Sequence, residues 1–154
     1  MQKKRSCLRH KCCLKRAGDQ TETPEVRRKL LFAYERLGQV YHSLGNNKEA
    51  EECFIKYLEI SKALCVETDT VQSFEDHAVG YQLMLLVSDS LDKQMYLKGI
   101  AGIYHQLETR IHDAKYGLKA LAYEKMMGNL RMNDAKFMAE SILSQYRKKS
   151  IIHN

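Results

Sequence analysis

The stretch from Tyr34 to Phe54 constrains the fold of this chain more than any other feature. It reads YERLGQVYHSLGNNKEAEECF, with apolar or small residues at spacings of three and four on both sides of a Gly-Asn-Asn turn. Such spacing places these residues on one face of each of two helices. Gly45 can adopt a positive φ and end the first helix, and the short turn then predicts that the two helices lie antiparallel.

Two short motifs in this stretch carry a family resemblance: Tyr34-x-x-Leu37-Gly38-x-x-Tyr41 and Ala50-x-x-x-Phe54. Their order and spacing resemble the tetratricopeptide repeat (TPR), whose pattern is W-x-x-L-G-x-x-Y followed by A-x-x-x-F. The resemblance implies an all-α fold in which antiparallel helical hairpins stack as a TPR-like α-solenoid. One hairpin cannot bury its apolar face alone, so stacked neighbours are required.

Capping residues and turn signals predict six helices, with starts near residues 24, 47, 70, 91, 110 and 133. Thr23-Pro24-Glu25 favours a helix start, and Asn46-x-x-Glu49 has the spacing of a capping box. Asn133 is a possible cap for the last helix, which is expected to run to about Lys149. The apolar residues of the first helix are expected to face its neighbours: Leu30, Ala33, Leu37, Tyr41 and Leu44.

A second, weaker copy of the motif lies 63 to 64 residues later, in Leu97-x-x-Ile100-Ala101-x-x-Tyr104 and Ala114-x-x-x-Leu118. The repeat phase after residue 67 stays open, because this offset is too short for two full long-helix repeats. No proline closes the second helix, so the chain resembles the long-helix variety of the family. That variety occurs in cytoskeletal, polarity and signalling scaffolds, and we expect a shortened member or a fragment of a longer array.

The basic charge of the chain is concentrated at its N-terminus. Residues 1–16 hold seven Lys or Arg and no acid, whereas the remainder carries 18 basic and 19 acidic side chains. The expected organisation is a basic, Cys-containing segment over 1–20, flexible or a remnant helix, a helical repeat domain over 21–150 and a tail over 151–154. A solvated tail is the simplest interpretation of residues 1–16, and contact with nucleic acid or an anionic membrane is the alternative.

The number of cysteines and the hydropathy of the chain indicate in which cellular compartment the protein is expected. The five cysteines are odd in number and suggest no disulfide framework, which favours a reducing compartment. No stretch of about 18 apolar residues predicts a transmembrane helix. We therefore expect a cytoplasmic protein, with a nuclear or cytoskeleton-associated location as the alternative. Cys7-x-x-His10-x-Cys12-Cys13 contains soft metal ligands, but no second pair lies at zinc-finger spacing, so no metal is predicted.

The family resemblance also suggests where a partner protein would bind. The first helix of each repeat lines the concave face in this family, and the matching exposed positions are Glu35, Gln39, His42, Lys98 and His105. The alternative is that these side chains merely solvate that face. One subgroup of the family grips the C-terminal carboxylate of chaperones with a Lys and an Asn. Glu35 and Gln39 occupy those places here. In the weaker copy Lys98 would match the Lys, but Gly102 replaces the Asn, which disfavours such a clamp.

Sequence signatures of catalysis are not found. There is no recognisable nucleophile with a base and no Gly-rich phosphate loop, since Gly99-x-x-Gly102 lies in a helical pattern. The paired acids Glu51-Glu52 and Glu75-Asp76 are interpreted as solvated helix faces. The sequence thus predicts a non-enzymatic protein–protein interaction scaffold that needs no cofactor. The alternative is an adaptor that contacts nucleic acid or a membrane surface through residues 1–16.

Overall fold

A computed structural model describes residues 23–128 and 132–152, and this part of the chain is all-α with no strand. Its six helices are α1 (Pro24–Ser43), α2 (Asn47–Thr68), α3 (Val71–Val87), α4 (Ser90–Ile111), α5 (Ala114–Met126) and α6 (Met132–Ile152). Each helix packs against the next one along the chain, which gives three hairpins, α1–α2, α3–α4 and α5–α6. The all-α prediction is confirmed, and five of the six predicted starts lie within one residue of the observed ones.

Local chemistry explains most helix ends. The Thr23 hydroxyl accepts a hydrogen bond from the Val26 amide at 3.4 Å, and Gly45 follows α1 with a φ of 76°. The Asn46 side chain makes no capping hydrogen bond to α2, so the predicted capping box there is wrong. A capping box occurs instead at α3, where Thr70 and Ser73 each accept a hydrogen bond from the other's backbone amide.

Two boundaries in the second half differ from the prediction. The fifth helix starts at Ala114 instead of near residue 110, because α4 continues to Ile111 and ends at His112. His112 has a φ of 56°, a left-handed conformation that sequence analysis expects chiefly at glycine. The last helix begins at Met132, so Asn133 lies inside it, and it continues to Ile152. The segment 1–20 lies outside the described residues.

The core consists of two apolar clusters that share α3. The first cluster joins α1, α2 and α3, with Leu31, Ala50, Phe54, Tyr57, Leu64, Leu83 and Met84. The second joins α3, α4 and α5, with Ala78, Ile100, Ile103, Tyr104, Leu107, Tyr116 and Ala120. Because α3 contributes to both clusters, it couples the first hairpin to the rest of the stack.

The first hairpin is held together by a close helix approach at Gly38. A Cβ atom at this position would lie 2.7 Å from Cδ1 of Phe54 and still closer to its Cε1, so only glycine fits. Phe54 is fully buried, as predicted, whereas Tyr41 is only partly buried. On α1 the buried residues are Leu31 and Gly38. The face that was expected to be buried is largely exposed at Ala33 and Leu44.

Candidate functional site

The odd-numbered helices form a row that polar contacts tie together. Between α1 and α3, Arg28 Nε lies 3.7 Å from Asp76 Oδ2. Two hydrogen bonds join α3 to α5: Gln82 Nε2 donates to the Tyr123 hydroxyl at 2.7 Å, and the Tyr116 hydroxyl donates to Glu75 Oε1 at 3.2 Å. Thus α1, α3 and α5 lie side by side along one surface of the stack.

The even-numbered helices form a second row. Arg110, near the end of α4, pairs with Asp69, which ends α2. The Tyr146 hydroxyl on α6 donates to Glu108 Oε1 on α4 at 3.4 Å. The two rows therefore present two chemically different surfaces of the same stack.

A groove of about 420 Å³ runs between α3 and α5 in the first row. Its lining residues are Gln72, Glu75, Asp76, Val79, Gln82, Tyr104, Lys119 and Tyr123. The lining combines carboxylates, amides, hydroxyls and one ammonium group with an aromatic floor. Such a mixture suits a ligand that itself carries both polar backbone groups and apolar side chains.

Asp76 is the most perturbed charged group of this groove. Burial raises its pKa, and this effect is opposed by a hydrogen bond of 2.9 Å from Gln72 Nε2 and by the Arg28 guanidinium. Arg28 Nε and Asp76 Oδ2 are both buried and have no hydrogen-bond partner in the described part of the chain. The prediction that Glu75-Asp76 is a solvated helix face is therefore wrong, whereas Glu51 and Glu52 are exposed as expected.

Stacked tyrosine rings form the aromatic floor of the groove. The Tyr104 ring stacks on Tyr116 and Tyr123, with centroid separations of 6.3 and 5.9 Å. Lys119 Nζ lies 5.0 Å from the centroid of the Tyr104 ring, a distance typical of a cation–π contact. This contact holds the ammonium group above the Tyr104 ring, in a groove that the carboxylates of α3 also line.

Three of the residues predicted to bind a partner lie on α1, in the same row as the groove. Gln39 Nε2 donates to Glu35 Oε1 at 3.2 Å, and His42 Nδ1 lies 3.2 Å from Asn47 Oδ1. Gln39 is exposed, while Glu35 and His42 are partly buried. The structure therefore brings these three side chains together at one end of the row, and their role in binding stays a prediction.

The other two predicted residues lie elsewhere. Lys98 and His105 belong to α4, in the even-numbered row, so they do not extend the face that carries Glu35. His105 Nε2 lies 2.8 Å from Glu124 Oε1, and His105 Nδ1 lies 3.6 Å from Glu108 Oε2. The contact with Glu124 joins α4 to α5, a role for His105 that the sequence did not indicate.

The described residues contain no group of three or more His, Cys, Asp or Glu that could hold a metal ion. None of the described helices is long and apolar enough to cross a membrane. The predicted nucleic-acid or membrane contact through residues 1–16 falls outside the described part of the chain, as does the Cys7-x-x-His10-x-Cys12-Cys13 motif.

Comparison with known families identifies the first hairpin. The family model of the tetratricopeptide repeat matches residues 33–64. This hairpin is a tetratricopeptide repeat. The match begins within α1 and ends within α2, and it confirms the resemblance carried by the Tyr34 to Phe54 stretch. Comparisons with curated proteins and with solved structures gave no match.

The matched repeat covers parts of α1 and α2 only. If the helices are counted in pairs from α1, then α3 and α5 are the first helices of the next two hairpins. The weaker motif copy instead pairs α4 with α5, and α4 packs against both α3 and α5, so the repeat phase after residue 67 stays a prediction. Sequence analysis placed its candidate residues on α1 and α4 and therefore missed the groove residues of α3 and α5.

Proposed function

We propose that this chain is a protein–protein interaction scaffold that binds a partner segment along the surface formed by α1, α3 and α5. The groove between α3 and α5 carries this proposal, because it combines a preformed shape with hydrogen-bonding groups of both kinds. In the tetratricopeptide repeat family the first helices line the concave face, and here the groove lies in the row that begins with α1, the first helix of the matched repeat.

The groove chemistry favours an extended peptide as the bound segment. The Gln72 and Gln82 amides can each donate and accept hydrogen bonds, which suits a peptide backbone. Val79 and the tyrosine floor offer apolar contact to every second side chain of an extended strand. Glu35, Gln39 and His42 would continue the same surface along α1. A chaperone-type C-terminal carboxylate is a poor fit at that end, because Glu35 would repel it.

The proposal includes a non-enzymatic role and a cytoplasmic location. Repeats of this family are typically scaffolds without catalytic activity of their own. A reducing compartment is the setting in which a cysteine such as Cys65 stays a thiol. Burial raises the pKa of Cys65, which keeps this thiol protonated and unreactive at neutral pH.

The experiment that tests this proposal is site-directed photo-crosslinking in cells. A photoreactive side chain in place of Gln72 should capture a partner, whereas the same side chain in place of Glu51 on α2 should not. Both positions are exposed, but the replacement of Gln72 also removes its hydrogen bond to Asp76, so circular dichroism and thermal unfolding should first show that both variants fold. A Lys119→Ala variant should lower the yield of captured partner about tenfold if this groove contributes a binding hot spot. Equal capture at positions 72 and 51 would contradict the proposed surface.

A further inference from the structure

The first helix carries a second apolar stripe, on the side that faces away from the core. The stripe consists of Val26, Leu30, Ala33, Leu37, Val40 and Leu44. Leu30 and Leu37 are partly buried and the other four are exposed, with exposed fractions of 53% at Val40 and 68% at Leu44. The core contacts of α1 come from a different face, where Leu31 and Gly38 are buried.

The spacing along this stripe alternates between four and three residues over the whole of α1. An alternation of four and three is the seam pattern of helices that pack lengthwise against another helix. A helix of 20 residues presents such a seam over about 30 Å. Isolated exposed apolar residues are ordinary, but a continuous stripe along one helix marks an interaction surface.

Basic side chains border the stripe. Lys29 and Arg36 directly precede two of its residues, Leu30 and Leu37, and so occupy the positions that flank a helix seam. Both are exposed, and neither forms an ion pair within the described part of the chain. We propose that this seam docks an amphipathic helix from a partner protein, whose own apolar stripe is flanked by acidic side chains.

The same charges disfavour two other occupants. A second copy of this chain that paired through its own α1 would bring Lys29 and Arg36 close to their counterparts. Residues 1–16 of the same chain would bring seven further basic side chains and no acid. Like charges across a helix seam oppose pairing, and opposite charges select the partner. This surface lies on the outer side of α1 and is independent of the groove between α3 and α5.

The test uses the full chain and two designed helical peptides of about 21 residues, which is three heptads. Both peptides carry Leu along the seam, and they differ only in having Glu or Lys at the flanking positions. Fluorescence anisotropy should show that the Glu peptide binds about tenfold more tightly than the Lys peptide, with a preference that shrinks as salt is added. The double variant Lys29→Glu, Arg36→Glu should reverse the preference.

Single variants locate the site. Val40→Glu should weaken binding of the Glu peptide about tenfold or more, because it places a charge in the seam. Val66→Glu on α2 is the matched control, since Val66 is 82% exposed and lies outside the stripe. Lys119→Ala in the groove should leave binding of the Glu peptide unchanged. The seam and the groove between α3 and α5 are therefore tested separately, and either proposal can fail without the other.

Four outcomes would overturn this inference. Two of them concern the peptides: no binding of the Glu peptide, or equal binding of the two peptides. A concentration-dependent dimer of the chain that Val40→Glu disperses would assign the seam to a second copy of the chain. Tighter peptide binding after removal of residues 1–22 would assign the seam to the chain's own N-terminus.

Discussion

At the scale of single residues, Gly38 shows how strongly one contact determines the first hairpin. Gly38→Ala should favour the helix by about 1 kcal/mol through propensity, yet its methyl group would collide with the buried Phe54 ring. We expect a net loss of about 1–3 kcal/mol in the free energy of unfolding, measured by urea denaturation. Gly102→Ala is the matched control, because a Cβ there meets nothing within 4 Å, and this variant should be neutral or stabilising. Equal effects of the two substitutions would refute the packing argument.

A partly buried histidine, His77, makes stability depend on pH. Burial lowers the pKa of His77 to about 4, and Lys62 adds a smaller effect, while Nδ1 lies 3.0 Å from the Ser61 hydroxyl. An unfolded histidine takes up its proton near pH 6.5, so between pH 6.5 and about 4 the unfolded chain binds more protons. The contribution of neutral His77 is therefore full above pH 6.5 and is lost as the pH falls towards 4.

The size of this effect is modest because the imidazole is only partly buried. We expect the native protein to lose about 1–2 kcal/mol more than a His77→Gln variant when urea unfolding is compared at pH 7 and pH 4.5. Comparing the two proteins at each pH cancels the contribution of other groups, including Asp76, whose raised pKa acts in the opposite direction. Parallel pH profiles of the two proteins would show that His77 titrates normally in the folded state.

At the scale of helices, the sequence predicted the boundaries that local chemistry determines. Thr23, Pro24 and Gly45 act within one turn of the chain, so their effects can be read without knowing the fold. The C-terminal ends of α2 and α4 were harder to predict from the sequence. They are formed by Asp69 and His112, which adopt positive φ angles of 47° and 56° although neither is glycine. The ion pair between Arg110 and Asp69 joins these two helix ends, and no local pattern in the sequence indicates such a contact.

The sequence also could not show which face of a helix is buried. The spacing of Leu30, Leu37 and Leu44 correctly indicates a helix with an apolar stripe. However, α1 buries a different face, through Leu31 and Gly38, and leaves much of that stripe exposed. Periodicity reports that a face is apolar, whereas burial depends on which helix the fold places against it.

At the scale of the whole molecule, the repeat phase was the main feature that the sequence could not determine. Ile100, Ala101 and Tyr104 recur with the spacing of a first helix, and they are buried because α4 packs against both α3 and α5. A helix that buries one face shows the same three-and-four spacing in either position of a hairpin. The groove between α3 and α5 could not be predicted, because it depends on contacts between helices that no local pattern in the sequence indicates.

Because the stack is nearly one-dimensional, its stability should decrease from the centre to the C-terminal end. We expect hydrogen exchange to show the strongest amide protection in α3, which belongs to both core clusters, and the weakest in α6, which packs mainly against α5. Leu83→Ala should cost about 2–4 kcal/mol and lower protection in α2 and α4 together, since Leu83 is buried in the helix that joins them. Met138→Ala on α6, where the side chain is 41% exposed, is the control and should leave protection in α2 unchanged. If Leu83→Ala changed protection in α3 and α4 but not in α2, the hairpins would be unfolding independently, and α3 would not be the element that couples them.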